Sequence, residues 1–283
     1  MGALRERMDK DMVLRGMAAR TRESYLAALV GLAKHYHKGP DQLTEQEVQD
    51  YLFHLINERK LAWSTCNIAT NAFKFFYHVS LKQRALEFCI PRRRPPSKLP
   101  EILSREEVTR LIEHTLNLKH RVLLMTTYAA GLRVSELVHL KATDIDSERM
   151  ALRVEQGKGA KDRYTLLSPK LLAELRNYWR AYRPRTWLFP MARTPDSPIN
   201  PEQAQKAYYA AKRRAGITKR CGIHGLRHAF ATHLLESGVD LHTIQRLLGH
   251  GHLSTTLVYF HLAQKDLTAT RSPLDLLPAP EPA

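Results

Sequence analysis

The sequence predicts a mainly α-helical protein with a small β-sheet, arranged as two domains. The chain has 283 residues, which is enough for two domains that each bury a core of their own. Apolar residues recur at helical spacing in most segments, and strand-type residues flank a glycine turn only in 151–168. The stretch PRRRPPSKLP (91–100) carries four prolines and four cations without an acid, which is typical of a linker. A surface loop within one domain is the alternative for this stretch.

The part before the linker, residues 1–90, is predicted to be a helical domain. Apolar residues at helical spacing predict its helices. One of them begins with Thr44 followed three positions later by Glu47, which is the pattern of a capping box. The predicted helices cover 21–36, 44–59 and 64–80.

The part after the linker, residues 101–283, is predicted to be a second domain, mostly helical. Ser104 and Glu107 form a second capping box at the start of a helix. An apolar stretch follows at 121–140, and Gly131 is predicted to divide it into two buried helices.

The period then changes to that of strands. The segment 151–168 has β-type residues on both sides of Gly157-Lys158-Gly159, which predicts a hairpin with Lys158 at its tip. Helical spacing resumes after it and predicts helices at 169–183, 201–216, 225–238 and 241–250.

The composition indicates a polyanionic partner and a reducing compartment. Lys and Arg number 44 against 28 Asp and Glu, a net charge of +16, which favours nucleic acid because each neutralised phosphate releases counterions. Cys66, Cys89 and Cys221 lie far apart without a CxxC pair, which does not suit a disulfide framework. No signal peptide and no apolar run of about 18 residues is present. We therefore expect a cytoplasmic protein that does not use a membrane.

Six polar residues stand inside or beside apolar segments, where burial requires a partner. Each one has an ordinary structural explanation: Arg133 could pair with Glu136, and Tyr259 could be a core aromatic residue. As a set they suit a phosphodiester, because arginines bind its oxygens, histidine and lysine move protons, and tyrosine is a covalent nucleophile. The six candidates are Arg133, Lys158, His224, Arg227, His250 and Tyr259.

Four ordered motifs resemble those of the tyrosine recombinase, or phage-integrase, family, and the compact Xer-type members most of all. The resemblance implies a helical SAM-like core-binding domain over 1–90 and an α+β catalytic domain over 101–283 that together clamp DNA. The motifs are AAGLRVSEL (129–137), GKGAKDR (157–163), HGLRHAFATHLLESG (224–238) and LLGHGHLSTTLVYFH (247–261).

The resemblance also implies roles for the six residues. Tyr259 would attack a DNA phosphate to give a 3′-phosphotyrosyl link, and Arg133 and Arg227 would hold the phosphate oxygens. His224 would assist proton transfer from the tyrosine. His250 would hydrogen-bond the phosphate, with His252 as its alternative. Lys158 would protonate the 5′-oxygen, with Lys161 as its alternative, and Glu136 would support the first arginine.

The partners implied are double-stranded DNA with a specific recombination site and three further protomers around a Holliday junction. The tetramer would be a homo-tetramer or a hetero-tetramer with a related recombinase, and no cofactor is expected. A metal is not expected either: His224 and His228 have zinc-helix spacing, but the glutamate of HExxH is missing and Arg227 would repel a cation. Two other functions stay open, a type IB topoisomerase-like nicking-closing enzyme and a catalytically silent DNA-binding regulator.

The spacing of His250 and Tyr259 predicts a break between them. In one continuous helix, residues nine apart at about 100° per residue would lie on opposite faces. Gly249 and Gly251 flank the histidine and are expected to end the first helix. Ser254 or Thr255 is then expected to cap a new one.

Overall fold

The computed structural model describes residues 2–83, 87–90, 100–155 and 162–260, apart from the side chains of Ser254 and Phe260. The chain divides into two units, Met1–Ser97 and Lys98–Ala283. Each unit contains a buried apolar core of its own.

The first unit is helical. Its helices are α1 (Gly2–Leu14), α2 (Ala19–Tyr36), α3 (Glu45–Asn57) and α4 (Trp63–Phe75), and one π-turn (Phe76–Ser80) extends α4.

The capping box predicted for α3 is confirmed, because the Thr44 hydroxyl accepts the Glu47 N–H and the Glu47 carboxylate accepts the Thr44 N–H. Helix α1 was not predicted. Most of its residues are polar or exposed, and only Met8 and Met12, four positions apart, are buried in the core.

The second unit contains eight described α-helices, and the predicted breaks between them are observed. Ser104 and Glu107 form the capping box at its first helix. Gly131 adopts a φ of 61° between the two halves of the apolar stretch, as predicted. The helices are α5 (Arg105–Glu113), α6 (Leu118–Ala129), α7 (Val134–Val138), α8 (Pro169–Tyr182), α9 (Pro201–Arg214), α10 (His224–Glu236), α11 (Leu241–Leu248) and α12 (Leu253–Phe260).

The sheet has three antiparallel strands in sequence order, β1 (Ile145–Asp146), β2 (Ala151–Val154) and β3 (Arg163–Leu166). Val154 pairs with Arg163, so β2 and β3 form the predicted hairpin. Its tip, with Lys158 and Lys161, lies outside the described residues. Strand β1 was not predicted, because two residues are too few to show a period.

Helix α10 lies at the centre of the second unit and packs against α6, α11 and α12. Most of its residues are buried, including Arg227 near its start. Burial of a charged residue in a central helix positions it firmly but requires compensating partners. Within the described part of the chain, no helix combines the length and apolar character needed to cross a membrane.

Candidate active site

The break between α11 and α12 brings His250 and Tyr259 together. Gly249 ends α11 in the left-handed conformation, and the N–H groups of Gly249 and His250 bond back to the carbonyls of Arg246 and Gln245. The rings of His250 and Tyr259 stack with centroids 6.2 Å apart and planes 12° apart. The predicted break is therefore confirmed.

The predicted cap of the new helix is wrong. Helix α12 begins at Leu253, so Ser254 and Thr255 lie inside its first turn rather than at the cap position. His252 precedes the helix and is exposed, whereas His250 is half-buried beside the tyrosine.

Tyr259 is buried, with 3% of its surface exposed, yet its hydroxyl has a polar partner. Its Oη lies 3.1 Å from Nδ1 of His228, on the facing side of α10. Burial raises the pKa of Tyr259, and the positive charges of Arg227 and Arg133 oppose this rise. The net direction is upward, so the phenol carries its proton at neutral pH and needs an acceptor before it can act as a nucleophile.

Arg227 is fixed by main-chain carbonyls. Its Nη1 donates to the carbonyl of Gly131 and its Nη2 to that of Leu248, each at 2.6 Å. Burial, followed by the charge of Arg133, lowers the pKa of Arg227 to about 10, so the guanidinium stays charged at neutral pH. Gly131, whose carbonyl accepts one of these bonds, packs closely against Phe230. A Cβ at position 131 would lie 2.4 Å from the Phe230 ring, so only glycine fits there.

Glu136 is the shared counter-ion of three arginines. Its carboxylate lies 2.7 Å from Nη1 of Arg133, 2.8 Å from Nη2 of Arg163 and 3.6 Å from Nη1 of Arg227. Burial alone would raise the pKa of Glu136, but hydrogen bonds and charge from Arg163 and then Arg133 lower it to about 2. The acid therefore stays ionised, and three positive side chains can be held at one place.

Sequence reasoning gave Arg163 no role in the site. It is the last residue of the quoted motif GKGAKDR, and this position was the only sequence signal available. In the structure it donates to both carboxylate oxygens of Glu136 and, through Nε, to the carbonyl of Leu247 at 2.9 Å.

The first two of the three histidines of α10 have different environments. His224, at the first helical position, has an exposed edge, although desolvation and then the charge of Arg227 still lower its pKa. Its ring lies against that of His228, with centroids 4.6 Å apart. The hydrogen bond to Tyr259 comes from His228, not from the histidine that the motif had suggested for proton transfer.

His250 is oriented by Thr256 on α12. Its Nδ1 lies 2.9 Å from the buried Thr256 hydroxyl. Burial, followed by the charges of Arg227 and Arg133, lowers the pKa of His250 to about 4, so the ring is neutral at pH 7. In the tautomer in which Nδ1 accepts from the threonine hydroxyl, Nε2 carries the hydrogen and can donate to an anion.

Five of the six predicted site residues thus lie together in the second unit: Arg133, His224, Arg227, His250 and Tyr259. A cleft of about 690 Å³ opens beside Arg133, and His139, Lys141 and Trp187 also line it. In the described ranges, no three His, Cys, Asp or Glu side chains are grouped so that they could hold a metal ion.

Comparison with known proteins places both units in recognised families. Residues 101–266 match the phage integrase family, and residues 4–86 match its N-terminal SAM-like domain. A putative integrase/recombinase of Sinorhizobium fredii, y4qK, is 47% identical over 283 residues, covering 100% of this chain and 92% of the relative. Tyrosine recombinase XerA of Pyrococcus horikoshii is 35% identical, with 77% of each chain covered.

Solved structures share the fold. The crystal structure of XerA recombinase superposes with a TM-score of 0.55 at 28% identity, covering 93% of this chain and 94% of the other. A lambda integrase dimer bound to a core site gives a TM-score of 0.72 at 17% identity, covering 92% and 94%, which bears on the fold alone.

The chain belongs to the phage integrase family. It is a tyrosine-type site-specific recombinase, a DNA-binding enzyme that breaks and rejoins DNA strands.

Proposed function

We propose that Tyr259 is the nucleophile of this recombinase and that it acts in cis, within the chain that supplies the arginines. The observation that supports this most directly is the position of the tyrosine. Its ring stacks on that of His250, and its hydroxyl bonds to His228. Burial raises its pKa, and the charge of Arg227 in the same chain opposes that rise. A buried tyrosine surrounded by cations and neutral imidazoles suits attack on a bound phosphodiester.

In the cleavage step, Oη of Tyr259 forms a bond to phosphorus and the bond from phosphorus to the 5′-oxygen breaks. Arg133 and Arg227 donate to the two non-bridging oxygens, and His250 donates a further hydrogen bond through Nε2. Lys158 gives a proton to the departing 5′-oxygen, with Lys161 as the alternative donor; both lie outside the described residues. His224, with its exposed edge, faces the incoming DNA.

In the rejoining step a 5′-hydroxyl attacks the phosphotyrosyl bond and releases the tyrosine. The bond energy is kept in the covalent link, so no nucleotide cofactor takes part. One exchange of strands at a specific site produces a Holliday junction, and a second exchange resolves it. Four protomers hold the junction, either as a homo-tetramer or as a hetero-tetramer with a related recombinase. The net charge of +16 favours binding of the assembly to the DNA phosphates. The assembly would act in the cytoplasm. A specific DNA site agrees with the name of one structural neighbour, the XerH site-specific recombinase bound to its difH substrate.

A nicked suicide duplex tests the nucleophile. Duplexes that the protein selects from a random library supply the sites, and the nick lets the cleaved strand diffuse away. We expect a protein–DNA band on a denaturing gel for the unmodified chain and none for Tyr259→Phe, with DNA affinity unchanged. A band that persists in Tyr259→Phe would remove the assignment. Cleavage at many unrelated sequences would instead favour a topoisomerase-like nicking-closing enzyme, and no covalent band with any duplex would favour a silent regulator.

A sulfur leaving group tests the acid. A 5′-bridging phosphorothiolate needs no proton to depart, so it should restore cleavage in Lys158→Ala while leaving the unmodified chain little changed. The matched variant is Lys161→Ala. Rescue of Lys161→Ala alone would transfer the role to that lysine, and rescue of neither would leave both with an electrostatic part only.

A further inference from the structure

His228 lies where the chemistry of the nucleophile requires a proton acceptor. We propose that His228 takes the phenolic proton of Tyr259 during cleavage and returns it during rejoining. This inference rests on the proposed role of Tyr259. It assigns to the second histidine of the motif HGLRH the step that the first histidine was expected to assist.

The geometry favours His228 over the other histidines nearby. Its Nδ1 is 3.1 Å from the Tyr259 hydroxyl, and the two rings are 5.5 Å apart between centroids. The ring of His250 lies parallel to that of Tyr259, with centroids 6.2 Å apart, and its Nδ1 contacts Thr256 instead. His224 contacts the ring of His228 rather than the hydroxyl. Because Tyr259 is almost fully buried, a side chain in contact with Oη is better placed to accept the proton than bulk water is.

Burial and the neighbouring positive charges keep His228 neutral before the reaction. On its own helix it faces His224 and Arg227, and from α12 it faces Tyr259, on which His250 stacks. Burial, followed by His224 and Arg227, lowers the pKa of His228 to about 4. A neutral imidazole with its hydrogen on Nε2 offers a free lone pair at Nδ1, which is the atom that faces Oη.

Bound DNA strengthens this acceptor when it is needed. The phosphate brings negative charge next to Arg227, which offsets the charge that disfavours an imidazolium at His228. At the same time the phenol becomes more acidic as the bond from Oη to phosphorus forms. Both changes favour proton transfer in the transition state, although the resting histidine is a weak base.

The step is balanced in both directions. In cleavage the Oη–H proton moves to Nδ1, the Oη–phosphorus bond forms, and the 5′-oxygen leaves with a proton from the separate acid. In rejoining the 5′-hydroxyl returns its proton to that acid and bonds to phosphorus. The Oη–phosphorus bond then breaks, and the imidazolium of His228 protonates Oη.

The first test combines His228→Asn with a more acidic phenol. The Asn oxygen can accept the hydrogen bond in place of Nδ1 but cannot take the proton, so positioning and proton acceptance are separated. We expect single-turnover cleavage of a suicide duplex to fall by about 10²–10³-fold. A trifluorotyrosine at position 259 needs less help to ionise. It should recover a tenfold or greater part of the loss in His228→Asn while changing the unmodified chain little.

The matched controls lie on the same helix. His233 is a buried histidine bonded to Tyr128, so His233→Asn should show the same ratio between fluorinated and ordinary tyrosine as the unmodified chain. His224→Asn should also show that ratio, because the proposal gives proton acceptance to His228. Equal ratios for His228→Asn and the unmodified chain would overturn the proposal, and so would a raised ratio in His224→Asn alone.

A second variant covers a loss of folding in the first. His228→Ala leaves room for free imidazole, which should restore cleavage in His228→Ala and not in His224→Ala. Absence of rescue, in protein that binds DNA with unchanged affinity, contradicts the proposal. If Tyr259→Phe keeps its covalent band, the nucleophile itself is wrong. If Tyr259→Phe loses the band but the His228 variants cleave at the rate of the unmodified chain, Tyr259 remains the nucleophile and another group accepts its proton.

Discussion

Arg163 and Glu136 form a bidentate ion pair, in which Nη1 and Nη2 of the arginine lie 2.9 Å and 2.8 Å from the two carboxylate oxygens. The same guanidinium donates through Nε to the carbonyl of Leu247. One side chain on β3 thus connects the hairpin strand, the carboxylate that Arg133 and Arg227 share, and the C-terminal end of α11. Its side chain is only 9% exposed, so these contacts are made largely out of water.

Arg163→Lys keeps the positive charge but removes the guanidinium group that bonds to both carboxylate oxygens. A single ammonium cannot make the two parallel bonds and the carbonyl contact together, so we expect a loss of about 1.5–3 kcal/mol in the free energy of unfolding. Urea unfolding measures it. Arg121→Lys is the control, since Arg121 meets Glu174 at 3.5 Å on a partly exposed surface, and its cost should stay under about 1 kcal/mol. An equal loss of unfolding free energy in Arg163→Lys and Arg121→Lys would mean that the bidentate bond to Glu136 adds no stability beyond that of a surface ion pair.

Glu136→Gln removes the shared counter-ion. Arg133, Arg163 and Arg227 would then repel one another in a buried place, and we expect a destabilisation of about 3–5 kcal/mol. An anion can replace the lost charge, so sulfate should raise the melting temperature of Glu136→Gln more than that of the unmodified chain. A thermal melt over a series of sulfate concentrations checks this, and identical responses of the two proteins would contradict it.

Gly249→Ala tests the close approach at the end of α11. Gly249 has a φ of 63°, and a Cβ there would lie 2.7 Å from Cδ of Arg163. Gly216 provides a matched control, because its φ is 65° and nothing lies within 4 Å of its added Cβ. Gly216→Ala should cost only the left-handed strain, about 1–2 kcal/mol, and Gly249→Ala should cost more in urea unfolding. The cleavage rate should also fall in Gly249→Ala alone.

Thr256→Val tests how His250 is oriented. Valine has nearly the shape of threonine but cannot bond to Nδ1 of His250, which fixes the ring and its tautomer. We expect the single-turnover cleavage rate to fall by about tenfold, which corresponds to one lost hydrogen bond. DNA affinity should change little. A fall in affinity with an unchanged rate would place Thr256 in DNA binding rather than in orientation.

Stability should fall as the pH is lowered from about 6.5 to 4. The pKa values of His228 and His250 are about 4 in the folded chain, below the ordinary histidine value near 6.5. In this window the unfolded chain binds protons that the folded chain does not, so acid favours unfolding. Urea unfolding at several pH values gives the slope, and His228→Asn should make it shallower. An unchanged slope in that variant would show that His228 does not titrate as inferred.

The features that the sequence predicted are those set by neighbouring residues. The capping boxes at Thr44 and Ser104 and the break at Gly131 depend on residues a few positions apart. The part played by Arg163 could not be predicted, because it depends on Glu136, 27 positions away, and on the carbonyl of Leu247. The bond from His228 to Tyr259 likewise joins residues 31 positions apart.

The candidate site as a set was recognised through its motifs, although the partner of each residue was not. Helix α1 was missed for another reason, since two buried methionines on a charged segment give no clear period.

The anchoring of Arg227 has a consequence for how this site tolerates sequence change. Its guanidinium donates to the main-chain carbonyls of Gly131 and Leu248, and the carbonyl at position 248 is present whatever the side chain. The position of the Arg227 guanidinium therefore depends on the path of the main chain at these two residues. Leucine 248 can be exchanged for another apolar residue without moving the arginine, as long as the chain turns at the same point. A displacement of the main chain at residue 131 or 248 is instead expected to move the arginine.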